Sequence, residues 1–489
     1  MFIAMVVLFV LGYLAIALEH PLKIEKAASA LILGSILWAL YALFSEQILG
    51  LGFSPSWEEM KMMAREIIHN IMPVMSADAF ATCPFNETVQ LASHPNAFVK
   101  YELAHHLVET AEILFFLFGA MTIVEVIDQH QGFTVITNKI HTNSKVRLLW
   151  ILGILTFFMS AVLDNLTTTI VMIALLRKLI SDKPTRWLYA SMIVISANSG
   201  GAWSPIGDVT TIMLWIGGQI TTVNIILKVI LPSLVSMIVP LTILSFMVSG
   251  NVTRPERPAY AGELTTPFER TFILILGVCM LLFVPVFKTV THLPPYVGML
   301  FGLGVLWLVS EIMHRDKEDE IRKKLTIYHI VKKVDTPTIF FFLGILSAVA
   351  ALQSAGQLSL LAGWLDEKLG NIYLINLAIG ALSAVVDNVP LVAGAMGMYD
   401  VVTPDMLRMA ADPAYASFFV QDGLFWEFLA YCAGTGGSML IIGSAAGVAA
   451  MGLERIDFIW YMKKISLLAL SGYLAGAGTY WLQAQLLGH

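Results

Sequence analysis

Apolar runs long enough to cross a hydrocarbon core recur along the whole chain, separated by short polar segments. Ten stand out, roughly at 2–18, 27–44, 110–127, 187–217, 223–249, 270–286, 294–313, 336–353, 424–452 and 457–485. Two further apolar stretches, 147–180 and 371–410, are each interrupted by an acidic pair, Asp164-Asn165 and Asp387-Asn388. A broken helix at membrane depth is tolerated only where protein or water satisfies the freed backbone. The pattern therefore predicts two re-entrant helical hairpins rather than straight crossings. The stretches 187–217 and 424–452 contain Gly-rich breaks and are predicted as broken helices. Residues 45–109 form the one sizeable polar insertion, and within it 57–75 is amphipathic enough to lie on a membrane surface. The predicted fold is an all-α polytopic membrane protein.

Composition agrees with this pattern. Hydrophobic residues make up 57% of the 489 and charged residues 13%, far outside the range of soluble domains. The first run, from Met1 to Leu18, has no basic leader and no clear cleavage site before Glu19, so it is expected to be a retained helix. Cys83, Cys279 and Cys432 suggest no disulfide framework. A net charge of −6 implies no nucleic-acid partner. Basic residues then orient the chain. The loop 314–335 holds Arg315, Lys317, Arg322, Lys323, Lys324, Lys332 and Lys333 and is expected on the cytoplasmic side. Counting crossings from there also places Lys23/Lys26, Lys139/Lys145/Arg147, Arg177/Lys178/Lys183/Arg186, Arg254/Arg257 and Lys463/Lys464 inside. Both termini and the 45–109 insertion fall outside. Glu19-His20-Pro21 with Lys23 and Lys26 is most simply a turn with cytoplasmic anchors.

The two halves align in order. ILFFLFGAMTIVE (113–125) is similar to TIFFFLGILSAVA (338–350), SAVLDN (160–165) to SAVVDN (383–388), and SANSGGAWSPIGDVTT (196–211) to CAGTGGSMLIIGSAAG (432–447). Residues 1–249 and 270–489 are thus expected to be two repeats joined by a cytoplasmic linker at 250–269. Each would have about five transmembrane helices plus a hairpin and a broken helix. An odd number of crossings per half inverts the second repeat, the logic of secondary transporters whose ion sites sit near the midplane on discontinuous helices.

A carboxylate at bilayer depth costs several kcal/mol (about 2.5–3.5 on insertion scales) and usually marks an ion or proton site. Asp164 and Asp387 are such carboxylates, and Asn165, Asn388, Ser160, Thr167 and Thr168 place neutral oxygens near them. The bland alternative is a buried Asp that only caps the second half of a broken helix. Capping and ion binding are compatible. In 198–211, Gly200, Gly201, Pro205 and Gly207 break the helix and free carbonyls, and Asn198, Ser199, Asp208, Thr210 and Thr211 add polar groups. Close packing explains the glycines but not Asp208, which aligns with Ser444 in the other half. Ser383 and Thr435 complete the second-half set. Glu112, Glu109 and His105, at the start of the third run, are candidates for a proton or pH role. His106 beside them is as easily an inert surface residue.

These motifs, with EHPLKIEKAASALI (19–32) and HHLVETAEILFFLFGAMTIVEVID (105–128), resemble the NhaD family of sodium/proton antiporters. That family lies within a superfamily that includes dicarboxylate and arsenite carriers. The resemblance implies efflux of Na⁺ or Li⁺ in exchange for external protons, with no cofactor, in a bacterial cell inner membrane and as a homodimer. It implies that Asp164, Asn165, Asn198, Asp208, Thr210, Thr211, Ser383, Asp387, Asn388 and Ser444 are motif positions, with Na⁺ held through Asp164, Asn165, Asp387 and Asn388. The superfamily's anion carriers have Ser-Asn-Thr where Asp164-Asn165-Leu166 stands, so the substitution makes this site anionic.

Two other readings compete. A Na⁺-coupled organic-anion or arsenite carrier would want Arg, Lys or a ring of neutral donors, and the three motifs hold no basic residue. An intramembrane aspartyl protease would want Gly-x-Gly-Asp or Tyr-Asp signatures rather than duplicated Asp-Asn breaks. With no P-loop lysine and no His-Glu-x-x-His pattern, neither an ATP-driven pump nor a membrane zinc enzyme is expected, nor an enzyme of any kind.

Overall fold

The computed structural model describes residues 1–489 except 18, 20–22, 138–139, 141, 255–264 and 488–489. The expected turn at His20-Pro21, the inside positions of Lys139 and Arg257, and the centre of the 250–269 linker lie outside the described residues. The described chain is helical, with one isolated bridge between Ser144 and Asn251. In order, the principal helices are α1 Phe2–Ala17, α2 Lys26–Leu43, α3 Pro55–Glu66, α4 Pro84–Ser93, α5 Pro95–Gln129, α6 Lys145–Leu163, α7 Asn165–Leu179, α8 Lys183–Ala202, α9 Val209–Ile216 and α10 Thr222–Met247. They continue as α11 Pro267–Thr291, α12 Pro295–Met313, α13 Thr336–Ser354, α14 Gln357–Leu369, α15 Ile372–Leu382, α16 Asn388–Met398, α17 Leu424–Gly436, α18 Ala445–Glu454, α19 Phe458–Lys464 and α20 Ser466–Leu487.

Among the described residues, seven helices are long and apolar enough to cross a membrane by themselves: α2, α5, α6, α10, α11, α12 and α13. The pair α19 and α20, bent by 52°, makes an eighth. The chain is therefore a multi-pass helical membrane protein. The third predicted run, 110–127, is the second half of a 35-residue helix that starts at Pro95, inside the polar insertion. Polar residues such as Glu102 and His106 did not break it, because Ala, Leu, Lys and Glu neighbours keep helix propensity high. The predicted breaks in 187–217 and 424–452 occur between α8 and α9 and between α17 and α18. The first limb of the predicted 147–180 hairpin, α6, has itself the length and hydropathy of a span.

The chain forms two compact units, each drawing on both sequence halves. One contains residues 1–114, 336–371 and 393–400. Its centre is the close crossing of α2 with α13, where a methyl on Gly344 would lie 2.4 Å from the Ala30 carbonyl carbon and one on Gly34 would lie 2.7 Å from the Gly344 oxygen. Small residues permit such contact where lipid offers no hydrophobic drive between helices. Trp38 Nε1 donates to the Ser347 carbonyl at 2.9 Å and the Tyr41 hydroxyl to the Ser354 carbonyl at 3.1 Å. In the amphipathic stretch, Trp57 and Ala64 are buried while Met62, Met63, Ile68 and Met72 are exposed.

The other unit contains residues 115–335, 372–392 and 401–489. Its core is the pair α8 and α17, whose residues 189–202 and 424–436 are all buried. The helices around them correspond by repeat: α6 packs on α8 as α15 packs on α17, α18 on α8 as α9 on α17, and α10 on α20. The aligned glycines make the same contacts twice. A methyl on Gly200 would lie 2.2 Å from the Phe157 oxygen, and one on Gly436 would lie 2.1 Å from the Gly380 oxygen. The aligned serines bond the same neighbours: Ser160 Oγ donates to the Ala197 carbonyl at 2.6 Å and Ser383 Oγ to the Ala433 carbonyl at 3.2 Å. Each Gly-Gly pair thus lets a broken helix sit directly on the limb before an Asp-Asn break.

Candidate functional site

The breaks place helix starts, rather than side chains on continuous helices, at the centre of the second unit. Asp164 ends α6 with φ 75° and ψ 160°, a backbone conformation uncommon for a non-glycine residue. Its carboxylate accepts from the Thr167 N–H through Oδ1 and from the Thr167 hydroxyl through Oδ2, both at 2.8 Å. Asp208 starts α9 in the same way, its Oδ1 accepting from the Thr210 N–H at 2.9 Å and the Thr210 hydroxyl at 2.8 Å. Ser444 starts α18, accepting from the Gly447 N–H at 3.1 Å. All three are N-caps, so the capping role weighed against ion binding is present at each.

Capping does not use up the site. Asn165 Nδ2 donates to Asp208 Oδ2 at 2.6 Å and to Asn198 Oδ1 at 3.0 Å. Asn198 Nδ2 then donates to Ser438 Oγ and Ser444 Oγ, each at 2.9 Å. Asn198 is fully buried, and it joins first-half residues to second-half residues in one network. Asp208 is 1% exposed and lies in the electrostatic field of both Asp387 and Asp164. The structure thus gathers Asp164, Asn165, Asn198, Asp208, Thr210, Asp387 and Ser444. The hydroxyl of Thr168 and the amide nitrogen of Asn388 are buried with no hydrogen-bond partner among the described residues. An apolar cleft lined by Phe116, Leu117, Ala120, Leu163, Ile206 and Met299 reaches Asp164.

Other predicted residues serve neighbouring roles. Ser199 Oγ bonds Ser236 Oγ at 3.3 Å, and the Thr435 hydroxyl bonds its own helix at the Tyr431 carbonyl at 2.6 Å. Thr211 Oγ1 reaches the Ala202 carbonyl at 3.5 Å. Ser383 holds α15 to α17, as described above. His105, Glu109 and Glu112 belong to the first unit. His106 Nδ1 and Glu109 Oε2 are 3.0 Å apart, and His105 Nε2 and Glu109 Oε1 are 3.4 Å apart, with His105 and Glu109 exposed and His106 largely buried. Glu112 is half-buried on the same helix.

Three features escaped the sequence reading. Ser438, the residue after Gly436-Gly437, aligns with Ala202, and its polarity inside that break is the one available signal. Glu454, 3% exposed, accepts from Arg177 Nε at 2.7 Å and Arg186 Nε at 3.0 Å, joining α7 and α8 to the end of α18. His130 and His314, just beyond the ends of α5 and α12, bring their Nε2 atoms within 2.8 Å. His130 Nδ1 is 2.7 Å from the Val126 carbonyl, to which it donates, so His314 Nε2 carries the shared proton. Burial keeps both rings neutral, pushing His314 down to about 4 and lowering His130.

Carboxylates capping half-helices inside a multi-pass helical protein define a carrier of the discontinuous-helix type. The citrate transporter family (CitMHS) model matches residues 1–420, and the chain belongs to that family. Sodium/proton antiporter 1 of Arabidopsis thaliana is 48% identical over 78% of this chain, which spans 63% of that relative's length. Sodium/proton antiporter 2 of the same plant is 46% identical over 78% of the chain and 87% of the relative. The Na(+)/H(+) antiporter NhaD of Vibrio parahaemolyticus is 30% identical over 78% of the chain and 92% of the relative.

Proposed function

We propose that the protein is a secondary active antiporter that exports Na⁺, or Li⁺, in exchange for external protons. The carrying observation is the cluster of Asp164, Asp208 and Asp387 at the starts of intramembrane half-helices. A helix N-terminus acts as about half a positive charge. The starts of α7, α9, α16 and α18 therefore contribute roughly +2 against three carboxylates at −3, a shortfall of about one charge. One monovalent cation or one proton supplies that charge, so the two compete for the same oxygens. The motifs at 160–168, 196–211, 383–391 and 432–447 hold no Arg or Lys. A multiply charged anion such as citrate, which the family description names, would meet repulsion there. The names of the plant and Vibrio relatives support the same substrate pair.

In the proposed cycle, protons entering from outside neutralise the carboxylates and leave to the cytoplasm. Na⁺ then binds to Asp164 and Asp387 with Asn165, Asn388 and Thr168 as neutral oxygen donors. The two Asp-Asn hairpins and their partner broken helices carry the loaded site to the outer face as an inverted pair. The positive-inside pattern supports this orientation in the cell membrane, and a homodimer belongs to the same proposal. Dye-reported proton flux in everted vesicles is the test. Na⁺ or Li⁺ should dequench the wild type and leave D164N unresponsive although it folds. Flux that requires added citrate or another carboxylate, or wild-type flux in D164N, would refute this reading.

A further inference from the structure

The cycle needs a route for a hydrated cation from the cytoplasm to Asp164, and a second cavity in the same unit has the chemistry for one. It has a volume of about 180 Å³, room for several waters. Asp128, Gln131 and Thr134 line one side, and Ile170, Ala174 and Lys178 of α7 line the other. We propose that this cavity is the cytoplasmic vestibule for the transported alkali cation, with Asp128 the anion that gathers it and Lys178 the opposing charge it displaces. The inference rests on the antiport reading above.

Three observations carry it. First, the cavity lies along the helix that starts at the site. Ile170, Ala174 and Lys178 recur every fourth residue, and so share one face of α7. Continuing that face one turn toward the helix start, about 6 Å, reaches Leu166 and Thr167, and Thr167 holds both oxygens of Asp164. Second, the cavity opens beside the basic loop assigned to the cytoplasm. Gln129, next to Asp128, donates to the Lys324 carbonyl at 3.3 Å and accepts from Lys333 Nζ. Third, the charges suit a cation held loosely. Lys178 and Lys333 act on Asp128, and Glu125, one turn back on α5, lies in the field of Asp128 and Lys333. Apolar walls from Phe133, Val171 and Leu175 focus that field, raising the local cation concentration without a tight binding step.

Initial rates of Na⁺-driven proton flux in everted vesicles, with the cytoplasmic face outward, test this. D128N should raise the half-saturating Na⁺ about three- to ten-fold at low ionic strength, with the increase shrinking in high choline chloride. K178Q should lower it, K178E should lower it further, and D128E should stay near wild type. Half-saturation unmoved by D128N and K178Q, or moved in the same direction by both, overturns the vestibule while wild-type antiport persists. If D128N fails to fold, the lowering of half-saturating Na⁺ by K178Q, and its further lowering by K178E, decides alone. Absence of Na⁺-dependent flux in the wild type would sink the antiport reading, and this inference with it.

Discussion

The two Asp-Asn breaks have nearly the same sequence and different surroundings. At the first, α7 resumes immediately after Asp164, and Thr167 gives the carboxylate an N–H and a hydroxyl. Asn165 is bonded to Asn198 and Asp208. At the second, residues 383–387 separate α15 from α16, and Asp387 Oδ1 accepts from the Val389 N–H at 3.3 Å. The position matching Thr167 is Pro390, which has neither N–H nor hydroxyl to offer. Asn388 Nδ2 is buried without a partner among the described residues. Asn165 thus ties the first break into the buried network, whereas the Asn388 amide nitrogen makes no such bond at the second.

The largest expected effect tests the anchored side. D164N should reduce Na⁺-dependent proton flux to background while the protein still elutes as a folded species, and D208N should come close to it. Flux in D387N equal to wild type would dissolve the comparison, because the second break would then be idle. Next comes the network itself. N198A removes one acceptor of Asn165 and one donor each to the hydroxyls of Ser438 and Ser444. It should cost about 1–3 kcal/mol, read as a drop in melting temperature in detergent, and lower the flux at least ten-fold.

A smaller effect is expected from P390T, which offers Asp387 the donors that Asp164 already has. The half-saturating Na⁺ concentration should shift a few-fold with the protein stable. An unchanged value would mean that Thr167 contributes nothing to the difference between the breaks. The smallest effect lies outside the site. His130 and His314 hold fewer protons folded than unfolded, because burial lowers both in the native state. Their contribution to stability is complete above the ordinary histidine value of about 6.5. It is lost as pH falls from there toward the His314 value of about 4. The melting temperature should therefore fall by a few degrees over that window. H130Q/H314Q should flatten the part of the slope that belongs to the pair, and an unflattened slope would assign it to carboxylates.

Much of the architecture was legible because its signals are local. An apolar run of span length, an Asp at its centre and a Gly-Gly break each show within a few residues, and the repeat doubled every one of them. That is why Asp164, Asn165, Asp208, Asp387 and Ser444 could be named from the chain. The length of α5 was not legible, since nothing between Pro95 and the third run is a helix breaker, yet polar residues there mimic a loop.

The sequence alone determined a multi-pass helical protein with paired breaks, because burial in lipid leaves the backbone so few choices. Only the tertiary structure decided which polar groups meet. The bond from Asn198 to Ser438, the pinning of Arg177 and Arg186 to Glu454, and the pairing of His130 with His314 join residues far apart in the chain. None of these pairs shares a helical face or a single motif. Their meeting follows from how α8, α17 and the half-helices pack, and from the need of each buried polar group for a partner.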